Sequence, residues 1–302
     1  MDKKKSVFPV MITPYKNNEV DYENIVNIAN WYIDNGCDGI FVVCQSSEMQ
    51  FLTLSEKVKI AELVSKVAKE RGATVVASGH TSDNLLDQAN EINAMGKTGI
   101  DAVILSTNRL DINNEGEDVW IENLKKLLNL IDKDIMLGLY ECPVPYKKLL
   151  TPKMLDYCIS TKRFKFIKDT CCNIQMINDR VKQLEGSGIE LYNANGQTLL
   201  KSLEFGAKGY SGIIANFCPN LVVKVCDNYE DKKYEELADM VSLLSFTENP
   251  CYPITAKYFL QLSGFNITLE TRSRNLKDFD DYQKNFVEQM YRIIKELDDK
   301  WN

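Results

Sequence analysis

Two residues in this 302-residue chain stand where covalent chemistry is possible, Lys168 and Tyr140. Lys168 closes the run FKFIK (Phe164 to Lys168). In a strand, alternate residues share a face, so Lys168 lies beside Phe164 and Phe166. An ammonium among apolar rings is disfavoured by desolvation, and a neutral amine adds to a ketone to give a Schiff base. A lysine at a strand end equally snorkels to solvent, and the pattern alone leaves both readings open. Tyr140 ends DIMLGLY (Asp134 to Tyr140) and shares a face with Met136 and Gly138, the glycine leaving room beside it. A phenol placed there shuttles protons to and from a carbinolamine, or it is a core tyrosine with a satisfied hydroxyl.

The segment Cys44-Gln45-Ser46-Ser47-Glu48 follows another apolar run. Its amide, hydroxyls and turn N–H groups suit a small carboxylate, and the same composition also caps a following helix. Arg109, in Thr107-Asn108-Arg109, is a candidate second contact for an anion, since a guanidinium grips carboxylates bidentately; its alternative is a surface arginine on a long loop. His80 fits equally well as a packed loop residue, and adjacent Cys171-Cys172 pack rather than bridge.

Counts exclude several other chemistries. There is one histidine, so metal sites built on several histidines are excluded, and any Ser-His-Asp or Cys-His mechanism has only His80 to use. Net charge is −7 with no basic stripe, which argues against a nucleic-acid partner. The nine cysteines include no C-x-x-C pair, as expected of a reduced, cytoplasmic protein. The basic start MDKKKSVFPVMITPY has an apolar run broken by Pro9 and Pro14, so no signal peptide is expected. No stretch approaches about 18 uninterrupted apolar residues, so no membrane span is expected.

The elements that must hold these residues alternate. Apolar runs at Val7 to Ile12, Gly39 to Val43, Ala73 to Ser78 and Ile100 to Ser106 read as strands, as do Asp134 to Tyr140, Phe164 to Lys168, Ile189 to Asn193 and Gly209 to Ile214. Amphipathic segments lie between them, such as Leu54 to Arg71 with Gly72 as its C-terminal cap. Eight such units predict an α/β chain folded as a (β/α)8 TIM barrel. The competing doubly wound sheet lacks a G-x-G-x-x-G after its first strand. We expect the barrel over 1–224 and a helical C-terminal extension over 225–302, with helices near 231–246, 252–263 and 276–298. Barrel enzymes place their chemistry at the C-terminal strand ends, where Gln45, His80, Arg109, Tyr140 and Lys168 all fall.

Several segments, in order, resemble the dihydrodipicolinate synthase / N-acetylneuraminate lyase family of class I aldolases. The resemblance runs from FPVMITPY to NPCYPITAKYFLQLSGF. CQSSE matches the family's Gly-Thr/Ser-Thr-Gly-Glu loop, LGLYECPVP its tyrosine strand and FKFIKDT its Schiff-base lysine strand. GYSGIIAN resembles the loop whose backbone faces the active site, which adds Ser211 and Gly212 to the substrate-binding set beside Gln45, Ser46, Ser47 and Arg109. The resemblance implies Lys168 as the Schiff-base lysine and Tyr140 as proton shuttle. It implies no metal or organic cofactor, and a homo-oligomer, tetramer or dimer.

The departures are specific. Gln45 replaces the loop's first hydroxyl residue, and Ser47 replaces its glycine. Thr107-Asn108-Arg109-Leu110 carries no tyrosine where the synthase has its relay partner, and Pro145 stands where an arginine holds the second substrate. The expectation is a metal-independent carbon–carbon or carbon–oxygen lyase acting on pyruvate or a related 2-oxo (sugar) acid. The alternatives are 4-hydroxy-tetrahydrodipicolinate (dihydrodipicolinate) synthase itself and a ligand-binding homologue with reduced catalysis.

Overall fold

All eight predicted runs contribute a strand to one parallel sheet. In chain order they are β1 (Ser6–Val7), β2 (Gly39–Val42), β3 (Thr74–Ala77), β4 (Ala102–Ser106), β5 (Leu137–Tyr140), β6 (Phe164–Asp169), β7 (Glu190–Asn193) and β8 (Gly209–Tyr210). This computed structural model describes residues 5–246 and 251–301. From β2 to β8 each strand pairs with its successor, and β8 pairs with β1. A parallel bridge between Val10 and Phe41 closes the last seam: the Phe41 N–H donates to the Pro9 carbonyl at 2.9 Å and the Met11 N–H to the Phe41 carbonyl at 3.0 Å. Pro9 has no N–H to give, which is why regular pairing of β1 stops short of the expected Ile12.

Parallel neighbours require crossovers, and helices supply them. These are α1 (Tyr22–Asp34), α2 (Leu54–Arg71), α3 (Leu85–Gly96), α4 (Glu117–Leu128), α5 (Pro152–Thr161), α6 (Ile174–Leu184), α7 (Leu199–Glu204) and α8 (Pro219–Asp227). The result is a TIM barrel. Local sequence sets the helix ends. Thr53 and Glu56 form a capping box at the start of α2, and Gly72, with φ of 71°, ends it.

Aromatic rings fill the barrel beneath the C-terminal strand ends. Phe166 stacks on Tyr192 at 4.4 Å between centroids, and Phe8 meets both edge-on. Gly138 belongs to this plug. A Cβ there would sit 2.4 Å from Ile104 Cδ1 and 2.8 Å from the Phe166 carbonyl. The glycine therefore does not open space beside Tyr140, as its spacing suggested; Ile104 and Phe166 take that space.

After the barrel come α9 (Glu235–Ser245), α10 (Ile254–Leu262) and α11 (Asp281–Trp301), matching the three expected helices. Each starts later than expected, α9 and α11 behind 3₁₀ turns at Lys232–Tyr234 and Leu276–Asp278. The expected boundary at 224/225 falls inside α8, and we propose the turn at 228–231 as the division instead. Asn249 and Pro250 of the NPCYPITAK motif lie outside the described residues. One element was not anticipated, a hairpin pairing Tyr15–Lys16 with Glu19–Val20. Its Asn17-Asn18 turn has both φ values positive, as a type I′ turn requires.

Candidate active site

Lys168 and Tyr140 are register partners on adjacent strands β6 and β5. Both side chains are buried, at 4% and 3% exposure, so the snorkelling alternative for Lys168 does not hold. The Lys168 ammonium lies 4.5 Å from the centre of the Tyr140 ring and 5.5 Å from that of Phe41. Phe41 in turn meets Tyr140 edge-on at 5.7 Å. Burial pushes the Tyr140 phenol well above its ordinary range, and the neighbouring Cys142 and Cys44 thiols add to the shift. The phenol is therefore a proton carrier that stays loaded near neutrality.

The loop after β2 turns sharply. Val43 sits at φ 49° and Glu48 at φ 59°, left-handed values that cost a side-chain-bearing residue energy and cluster at functional sites. Between them Gln45–Ser47 form a 3₁₀ turn. The Gln45 amide oxygen accepts from Gln50 Nε2 at 2.8 Å and from the Cys142 thiol at 3.7 Å. That contact brings the β2 and β5 loops together. Ser46 is buried in the turn. The Ser47 hydroxyl donates to the Met11 carbonyl at 2.6 Å and accepts from the Cys44 N–H at 3.0 Å, so it ties the loop to the first strand segment.

Glu48 anchors the loop from behind. Its carboxylate accepts from Lys257 Nζ at 3.3 Å, Thr271 Oγ1 at 2.5 Å, and the N–H groups of Arg272 and Ser273 at 2.8 and 2.7 Å. Lys257 is fully buried on α10, and burial brings it down to about 8 against the opposing pull of Glu48. The C-terminal extension thus reaches the candidate carboxylate loop through one ion pair and three further donors.

A second buried network lies outside the barrel wall. Glu141 and Asp169 directly follow Tyr140 and Lys168 and point the opposite way. Arg180 of α6 bridges them: one guanidinium nitrogen meets Glu141 at 2.6 Å and the other meets Asp169. Burial raises the Glu141 carboxyl above its ordinary value, with Arg180 opposing and Asp169 adding to the shift. Residue patterning missed Arg180, Glu141 and Lys257. The signal for the first network was present: acids placed just after Tyr140 and Lys168 must face the covered side of the strands, where they need a cation.

The remaining candidates are dispersed. Arg109 pairs with Asp83 at 2.6 Å, and Gln88 Nε2 donates to its carbonyl. Asn108 Nδ2 reaches the carbonyls of Cys142, Val144 and Tyr146 at 2.7–2.9 Å, bracing the β5 loop. His80 is fully buried without a hydrogen-bond partner on either ring nitrogen among the described residues; burial, Arg109 and Lys57 push it down to about 3. Ser211 is buried at the end of β8, two strands round from Lys168, its N–H on the Asn193 carbonyl. A Cβ on Gly212 would lie 2.2 Å from Tyr210 Oη, so no larger residue fits that turn. Among the described residues no three His, Cys, Asp or Glu side chains gather as a metal site, and no helix is long and apolar enough to cross a membrane.

Comparison with known proteins agrees with the barrel fold. A model of the dihydrodipicolinate synthetase family matches residues 3–292. The 4-hydroxy-tetrahydrodipicolinate synthase of Methanococcus maripaludis is 24% identical over 274 residues, covering 88% of this chain and 91% of that protein. The solved structure of wild-type sialic acid aldolase from Ruminococcus gnavus superposes with a TM-score of 0.86 at 16% identity, covering 99% of each chain. A monomeric dihydrodipicolinate synthase variant superposes with a TM-score of 0.85 at 18% identity, covering 95% of this chain and 96% of that one.

Proposed function

The chain belongs to the dihydrodipicolinate synthetase family, and on that premise we propose that it is a class I, Schiff-base-forming lyase acting on pyruvate or a related 2-oxo (sugar) acid. The observation that carries this reading is the buried Lys168 amine set 4.5 Å from the Tyr140 ring centre.

The uncharged Lys168 amine attacks the keto carbon, giving a carbinolamine. Tyr140 donates its proton to the departing hydroxyl, water leaves, and an iminium remains. The iminium accepts the electron pair of a breaking C–C bond, or of a C–H bond when an enamine forms. The phenol recovers its proton when water adds back. A 3₁₀ turn leaves its first N–H groups without an acceptor inside the turn, so those of Gln45 and Ser46, with the Ser46 hydroxyl, receive the substrate carboxylate. Ser47 serves the site by shaping that turn. Arg109, Ser211 and Gly212 border the site in this reading. We also place the enzyme in the cytoplasm on its cysteine usage, and take it as a homo-oligomer, tetramer or dimer, on the family resemblance.

A second reading, 4-hydroxy-tetrahydrodipicolinate synthase, is favoured by the name of the Methanococcus relative. Against it stand Gln45 and Asn108 in place of the relay hydroxyl and tyrosine, the latter with its amide spent on three carbonyls. Borohydride reduction in the presence of pyruvate, read by intact mass, tests the shared chemistry, and one adduct per chain is expected. Full condensation activity with aspartate semialdehyde would select the synthase. Binding of 2-oxo acids without any trapped adduct would instead point to a ligand-binding homologue.

A further inference from the structure

We propose that Arg180 is a positioning residue, a clamp outside the barrel that sets Tyr140 and Lys168 relative to each other through the acids that follow them. The proposal rests on the imine reading above.

Tyr140 and Lys168 face each other across one register pair. The next residues, Glu141 and Asp169, therefore lie side by side on the outer face, two carboxylates in a dry place where like charges repel. The Arg180 guanidinium, 3% exposed, closes on both and also donates to the Leu150 carbonyl at 2.8 Å. Glu141 is fixed at every acceptor: one oxygen takes the Leu150 N–H at 2.8 Å and the other the Thr170 N–H at 3.0 Å. Its carbonyl takes the Thr170 hydroxyl at 2.7 Å. Asp169 accepts the Cys171 N–H at 2.8 Å. The loops after β5 and β6 are thereby locked to each other and to α6. A backbone held at residue n+1 fixes the Cα–Cβ direction at residue n, so the clamp fixes where the phenol and the amine point.

A lysine keeps the charge but not the planar fork that reaches both acids. The experiment compares Arg180→Lys with wild type by rapid-quench borohydride trapping across a pyruvate series. For Arg180→Lys we expect the saturating trapping rate to fall by about a hundredfold, the scale of an ångström misplacement in a reacting pair. The half-saturating pyruvate concentration should change by less than about threefold, because the carboxylate loop is held elsewhere. The end-point should still reach one adduct per chain, which distinguishes slower sites from fewer folded ones. A wild-type saturating rate in Arg180→Lys overturns the proposal. If that variant does not fold, Glu141→Gln, which removes one clamped charge at constant size, decides: a slowed saturating rate at full end-point supports the clamp, and an unchanged rate overturns it. Absence of any adduct in wild type with pyruvate and longer 2-oxo acids is a different failure. It removes the imine reading, and the clamp with it.

Discussion

Two parts of the proposed active site are braced from behind by buried charge, in different ways. The β5–β6 side, which carries Tyr140 and Lys168, is held from the surrounding helix layer by Arg180 of α6, a forked cation gripping two acids. The β2 loop, which carries Gln45, Ser46 and Ser47, is held from the C-terminal extension, where Lys257 and three further donors converge on the single acid Glu48. The difference suits the tasks proposed for the two regions. Proton transfer between an amine adduct and a phenol needs two side chains aligned, so one rigid planar group spans both. Holding a carboxylate needs one strained turn kept closed, and a point charge with backbone donors is enough. The extension is thus part of the β2 loop's support.

The comparison predicts separable defects. The largest belongs to the chemical side. Tyr140→Phe should lower kcat by about 10²–10⁴-fold, the usual contribution of a positioned proton donor. Its KM should move little, and steady-state kinetics on the substrate found by screening checks the split. On the other side, Lys257→Met should raise KM more than it lowers kcat. It should also cost about 3–5 kcal/mol of stability, since it leaves Glu48 buried without its cation; urea unfolding measures this. A Lys257→Met protein with wild-type KM would break the link between extension and loop.

The smallest effect is a pH slope. In the folded chain Lys257 sits at about 8, below its ordinary 10.5, so between these values the unfolded chain holds more protons than the folded one. Its contribution to the unfolding free energy therefore rises with pH over that interval. Wild type should show that rise relative to Lys257→Met, and parallel curves from pH 8 to 10.5 would contradict it.

Much of this was legible in the sequence. The eight strands announced themselves as short apolar runs, and Lys168 and Tyr140 came from strand alternation plus family motifs. The regular strands β1 and β8 are shorter than their apolar runs because Pro9 withholds an N–H and a 3₁₀ turn starts at Ile213. The asparagine pair at 17–18 was a readable hairpin signal that the apolar periodicity passed over. Ser47 looked like a substrate hydroxyl, yet that hydroxyl bonds to Cys44 of its own loop and to Met11, a geometry that residue type does not encode. The two clamps were hidden for a different reason. Arg180 is 39 residues from Glu141, and Lys257 is 209 from Glu48, so each pair exists only once the barrel has closed.

The proposed chemistry depends on Lys168 being the imine-forming amine. The direct measurement is borohydride trapping with pyruvate on wild type beside Lys168→Ala, followed by peptide mapping. The prediction is a reduced adduct on the peptide containing Lys168 and none in the variant, with the variant still folded. An adduct on another lysine, or an equal adduct in Lys168→Ala, would contradict the assignment.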